Sequence, residues 1–141
     1  MSPRPPGPIL IVEDEIFVAL ELEQLLADGG YGICAIAADH EEAIGAAPDC
    51  AFAFVDVNLR DGATGPRIAR ELWKRFGIRS IFVTANPGQI GEGIDGALAY
   101  VRKPFDREAI LAAAAWAASP QGRPANDNVV PLGSVSSSTG G

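Results

Sequence analysis

The stretch "ILIVEDEIF", Ile9 to Phe17, decides how this chain is read. Four apolar residues, three of them β-branched, run without a break into Glu13, Asp14 and Glu15. A short, continuous apolar run is what a strand covered on both faces requires. Three like charges at its end repel one another, so the cluster calls for a nearby cation or open water.

Working outward, short apolar runs alternate with amphipathic segments. "GICAIAA" (32–38), "AFAFVDV" (51–57), "SIFV" (80–83) and "LAYV" (98–101) read as four more strands. Between them, Val18, Leu22, Leu25 and Leu26 mark a helix that Gly29 and Gly30 end. Asp39 with Glu42 forms a capping-box pattern that opens a short helix ending near Pro48. Pro66 stands in the first turn of a helix carrying Ile68, Leu72 and Phe76, and Asp106 caps a final helix over 107–118. Strands alternating with helices predict an α/β fold with a parallel sheet and helices on both faces. The segment before the fifth strand, "NPGQIGEGIDG", carries Gly88, Gly91, Gly93 and Gly96. Each costs about 1 kcal/mol in a helix interior, so the fourth helix is expected to be short, frayed or absent in isolation.

Composition narrows the function. The chain has 141 residues, 48% hydrophobic and 21% charged, with a net charge of −7. One folded domain is expected over 9–118, after an N-terminal arm over 1–8. The Pro-, Gly- and Ser-rich stretch 119–141 reads as a disordered tail, in which "VVPL" is the only run with docking character. The acidic balance argues against nucleic acid and against an anionic membrane surface. No apolar run is long enough for a signal peptide or a membrane helix, which places the protein in the cytoplasm. Cys34 and Cys50, among small apolar residues, are expected as two reduced core thiols. His40, the one histidine, is expected to be solvated in its helix's first turn.

In a parallel sheet the carboxyl ends of the strands share one edge, where function collects. That edge receives Glu13 and Asp14 from the first strand, Asp56 from the third, Thr84 from the fourth and Lys103 after the fifth. Hard oxygen donors, with no thiolate or imidazole at a strand end, favour Mg²⁺ over Zn²⁺. A strand-end carboxylate beside such an ion can act as a nucleophile toward phosphorus. Lys103 would offset charge on the transferring group, Thr84 would donate to it, and small Ala85 would leave room.

These residues together resemble the receiver domain of two-component response regulators. The likeness rests on Glu13-Asp14, Asp56, "NLRDG", Thr84-Ala85 and Lys103-Pro104-Phe105, in order, over roughly residues 8–118. The resemblance implies a (βα)₅ flavodoxin-like fold with five strands in the order 2-1-3-4-5. It implies a phosphoryl group passed to Asp56 from a histidine kinase or phosphotransfer protein. Mg²⁺ would be held by Glu13, Asp14, Asp56 and the backbone carbonyl of Asn58. Lys103 would pair with the phosphoryl group, and the Lys103–Pro104 bond would be cis. Tyr100 matches the family's aromatic switch and moves with Thr84, while Asn58 and Asn86 match positions that tune hydrolysis. The face formed by helix four, strand five and helix five would report to an unidentified downstream protein, with a homodimer also allowed.

Two departures stand out. The acid pair is Glu-Asp where Asp-Asp is commoner, and the fourth helix is Gly-rich, a feature that with "FVTAN" resembles single-domain receivers of alphaproteobacteria. No output module is expected after residue 118, so signalling would run through protein contact. Two other readings compete. One is an unphosphorylated pseudo-receiver scaffold, against which the full acidic set and Lys103 argue. The other is a phosphatase of the haloacid-dehalogenase type, which needs an acid two residues after its nucleophile, where this chain has Asn58.

Overall fold

The computed structural model describes residues 7–92 and 94–132. In chain order they form β1 (Ile9–Val12), α1 (Ile16–Asp28), β2 (Ile33–Ala37), α2 (His40–Ala46), β3 (Phe52–Val55), α3 (Gly65–Phe76), β4 (Arg79–Thr84), β5 (Ala97–Arg102), α4 (Arg107–Ala118) and β6 (Val129–Pro131). The sheet runs β2-β1-β3-β4-β5-β6. The first five strands are parallel, in the expected flavodoxin-like order, and β6 joins β5 antiparallel.

The unbroken apolar strands follow from two covered faces. Ile9 and Ile11 of β1 point into a core shared with Phe54, Val83, α1 and α4, while Leu10 and Val12 point into a second core with Val55, Phe82, α2 and α3. Alternation therefore sorts apolar residues between two interiors instead of between core and water. The caps fall where the sequence puts them: Asp39 Oδ1 accepts from Glu42 N at 2.9 Å, and Asp106 Oδ1 accepts from Ala109 N at 2.9 Å. Helix α4 buries Ala109, Ala113, Ala114 and Ala117, side chains small enough to bring its axis close to the sheet.

The weakness expected of the fourth helix is realised in full, and three other expectations change. The Gly-rich stretch forms no α-helix among the described residues; a single 3-10 turn, Pro87–Gln89, remains. The sheet has six strands, because part of the stretch read as a disordered tail pairs with β5. Arm residues 1–6 and tail residues 133–141 lie outside the described residues. Cys34, on edge strand β2, is bonded to Cys50, just before β3, across 5.9 Å between Cα atoms, where two thiols were expected. The short crossover through α2 returns the chain beside β2 and brings the pair together. His40 is also tied down: its Nε2 lies 2.6 Å from Glu71 Oε1, linking α2 to α3.

Gly65 fixes the distance between α3 and the end of β3. A Cβ there would stand 2.1 Å from the Asp56 carbonyl oxygen and 2.7 Å from Val57 Cα, both backbone atoms that have nowhere to move. Gly65→Ala is expected to lower the unfolding free energy by roughly 1–3 kcal/mol, the usual cost of overpacking, read from urea denaturation. Gly45→Ala, where a Cβ meets nothing within 4 Å, is the control and should not destabilise.

Candidate functional site

The carboxyl edge of the sheet carries an acidic cleft of about 380 Å³, lined by Asp14, Asp56, Asn58, Thr84, Asn86 and Lys103, among others. These side chains arrive from the ends of four strands, which the parallel register of Val12, Val55 and Phe82 sets side by side. β1 and β3 end at that height, while β4 runs on to Thr84 and β5 to Arg102. Glu13 is 2% exposed, Asp56 7% and Thr84 not at all, whereas Asp14 faces solvent.

Lys103 holds the centre. Its Nζ donates to Glu13 Oε1 at 2.8 Å and to Asp56 Oδ2 at 3.0 Å. Its own backbone N–H donates to the Thr84 carbonyl at 3.0 Å, which extends the β4–β5 ladder by one residue and aims the side chain back over the sheet. The following Lys103–Pro104 bond is cis, as expected from the resemblance. Glu13 spends its other oxygen on the Glu15 N–H at 3.1 Å, at the start of α1.

Burial shapes the charges. Desolvation pushes the Glu13 carboxyl up from about 4.5 to about 7, with the Asp56 charge adding to the rise and the Lys103 bond opposing it. Desolvation lowers Lys103, but its hydrogen bonds to Glu13 and Asp56 outweigh this and hold the ammonium above its ordinary value.

Carboxylate oxygens of Glu13, Asp14 and Asp56 all lie within 4.8 Å of one another. Three hard anionic donors that close, one of them solvent-facing beside an open cleft, fit a small divalent cation that keeps several waters. The Thr84 hydroxyl accepts from Asn86 N–H at 3.0 Å, which leaves its own proton free to point elsewhere. Asn58 lines the cleft while its amide donates to Gln89 Oε1 at 2.8 Å. Of the expected set, two do not line the cleft: Glu13, buried behind it on Lys103, and Tyr100, half-buried on β5 two residues before the strand's end. Gln89 and Gly65 were missed by sequence reasoning. Gly65-Pro66 did carry a signal, a glycine opening a helix just after the Asp56 loop; Gln89 carried none.

Residues 9–115 match the family model of the response regulator receiver domain. The chain belongs to that family. A curated relative, the phyllosphere-induced regulator PhyR of Methylorubrum extorquens, is 33% identical over 101 residues, covering 69% of this chain and 38% of that protein. The chain thus matches well under half of the relative's length. Among solved structures, the Erythrobacter litoralis PhyR response regulator REC domain is similar with a TM-score of 0.73 and 25% identity, covering 86% of this receiver and 96% of that chain. The Brucella abortus response regulator PhyR gives 0.66 and 26%, covering 80% and 47%.

The Glu13 shift has a consequence for stability. The folded receiver holds this proton more tightly than the unfolded chain, so the stabilisation it gives is complete below about 4.5 and is lost as the pH rises through about 7. For the cation-free protein, urea unfolding between pH 5 and pH 8 should show this decline, and Glu13→Gln should flatten it. An identical decline in Glu13→Gln would assign it to other groups.

Proposed function

We propose that this receiver is a phosphoacceptor: Asp56 takes a phosphoryl group from the phosphohistidine of a kinase or phosphotransfer protein in the cytoplasm. The observation that carries the reading is the Lys103 ammonium bonded to both Glu13 and Asp56 at the mouth of an open acidic cleft. A carboxylate oxygen of Asp56 forms the new bond to phosphorus as the N–P bond of the donor breaks. The imidazole leaves with the electron pair and takes up a proton, and an acyl phosphate remains.

Glu13, Asp14, Asp56 and the backbone carbonyl of Asn58 would hold Mg²⁺. The bound ion would offset the charge between the carboxylates and the phosphoryl oxygens. The chain's own residues do the rest. Lys103, already 3.0 Å from Asp56 Oδ2, exchanges a carboxylate partner for a phosphoryl oxygen. Thr84 turns its free hydroxyl proton toward the group, and Ala85, lining the cleft, leaves space for it. Tyr100 follows Thr84 through the adjoining strands β4 and β5. Asn58 and Asn86 flank the path of water and set how long the acyl phosphate lasts.

The domain does no chemistry on a second substrate in this reading. Asn58, at the position where a phosphatase of this chemistry needs its general acid, has no acidic proton, and its amide donates to Gln89. Output passes by contact to a downstream protein through the face around β5. On the donor side, α1 exposes Ile16 and Phe17, the latter 84% exposed, directly after the cleft-lining Glu15. That apolar patch offers the donor protein a docking surface.

Incubation with a small acyl phosphate and Mg²⁺ should add one phosphoryl group by intact mass, and Asp56→Asn should add none. Chelation with EDTA should block the reaction. An unchanged mass for the wild-type chain would defeat the proposal. Phe17→Ser separates docking from chemistry: transfer from a phosphohistidine protein should slow about tenfold, a loss of about 1.4 kcal/mol, while labelling by the small donor stays unchanged.

A further inference from the structure

The sheet's sixth strand comes from a stretch with no strand signal. Val129–Pro131 pairs with β5 in the register Ala99↔Pro131, Tyr100↔Val130 and Val101↔Val129. Leu132 N–H donates to the Leu98 carbonyl at 3.0 Å. Bonded and non-bonded pairs alternate in an antiparallel ladder, so Tyr100–Val130 is the next bonded pair. Pro131 therefore falls at a non-bonded position, where its missing N–H costs nothing.

The side chains fit as well as the backbone. Val129 is 2% exposed and enters the α1–α4 core beside Val101 and Ile110. Leu132 packs on the opposite core, to which Tyr100 and Ile90 also belong. That is the face a helix between β4 and β5 would cover, and only the Pro87–Gln89 turn is there. The tail thus takes over part of the missing helix's cover. What precedes it, residues 119–126, has no helix or strand, so among the described residues the short strand and Leu132 fasten the segment. Beside it a groove of about 410 Å³ opens between Tyr100, Phe105, Asp127 and Val130.

The geometry points to a strand-binding site at the β5 edge, filled in the resting chain by its own residues 128–132 and open to an extended partner segment of the same kind. The ligand class is fixed by the occupant: an antiparallel strand with two adjacent aliphatic residues, the first buried, followed by a residue that needs no N–H. A partner segment of this pattern competes with the tail, pairs with Tyr100 and fills the Val129 pocket. The site uses no atom of the Asp56 cleft and stands whether or not Asp56 is phosphorylated.

The test uses the full chain and a fluorescent peptide of residues 125–132, "ANDNVVPL". Val130→Pro removes the donor facing Tyr100 while sparing the buried Val129. In that variant the Tyr100 amide should exchange about tenfold faster than in the wild type, and the peptide should bind about tenfold more tightly, by anisotropy. The same peptide with proline at the Val130 position should not bind. Equal Tyr100 exchange in both proteins overturns the proposal. So does a cooperatively melting Val130→Pro chain that takes up neither peptide, or both alike. Val129→Asp, which empties the pocket, is the second variant and must expose the edge in the same way.

Discussion

The ammonium of Lys103 lies between two buried carboxylates that no other cation in the described cleft neutralises. It reaches them from β5, across the end of β4, to β3 and then β1, so one side chain reads the relative position of four strands. Glu13 and Asp56 would repel at this separation without it. Breaking a buried ion pair by removing one partner typically costs about 3–5 kcal/mol, because the other charge is left without compensation. The fold tolerates this arrangement because Glu13 and Lys103 are each bonded more than once. Glu13 also takes the Glu15 N–H, and the Lys103 backbone is fixed on Thr84. In the proposed reaction a divalent ion would take over a carboxylate from Lys103, and a phosphoryl oxygen would then become the ammonium's partner.

The arrangement of the edge was legible because it follows from sterics and charge. A continuous apolar strand must be covered twice, a parallel sheet must gather its strand ends, and the acids, Thr84 and Lys103 stand one after each run. Asp39 and Asp106 could be read as caps because capping is local. What escaped was non-local. "VVP" is too short and too proline-bound to announce a strand; it becomes one because β5 offers unpaired N–H and C=O groups and an apolar pocket. The Cys34–Cys50 pair lies 16 residues apart, a spacing that states no partnership; the crossover through α2 makes it. Tyr100 could be placed at an edge but not beneath Val130, because nothing near it in sequence says which chain covers it.

The Gly-rich segment and the tail strand are two halves of one constraint. Glycines between β4 and β5 remove a helix, and that leaves Tyr100 only half-buried on the α2–α3 side. A sheet so exposed at its last strand is open to pairing with other chains. Covering it from the chain's own tail satisfies the backbone and adds Leu132 to the thin core. The gain is small by design of its length. A fully buried Val is worth about 1.5–3 kcal/mol, while fixing a residue's backbone costs about 1–2 kcal/mol. Val129 is the one fully buried side chain of the strand, Leu132 adds a partly buried one and Pro131 is already restricted in φ, so gain and cost are of the same order. A segment held by so narrow a margin exchanges between bound and free, and that margin lets the same edge serve first as a closed surface and then as a binding site.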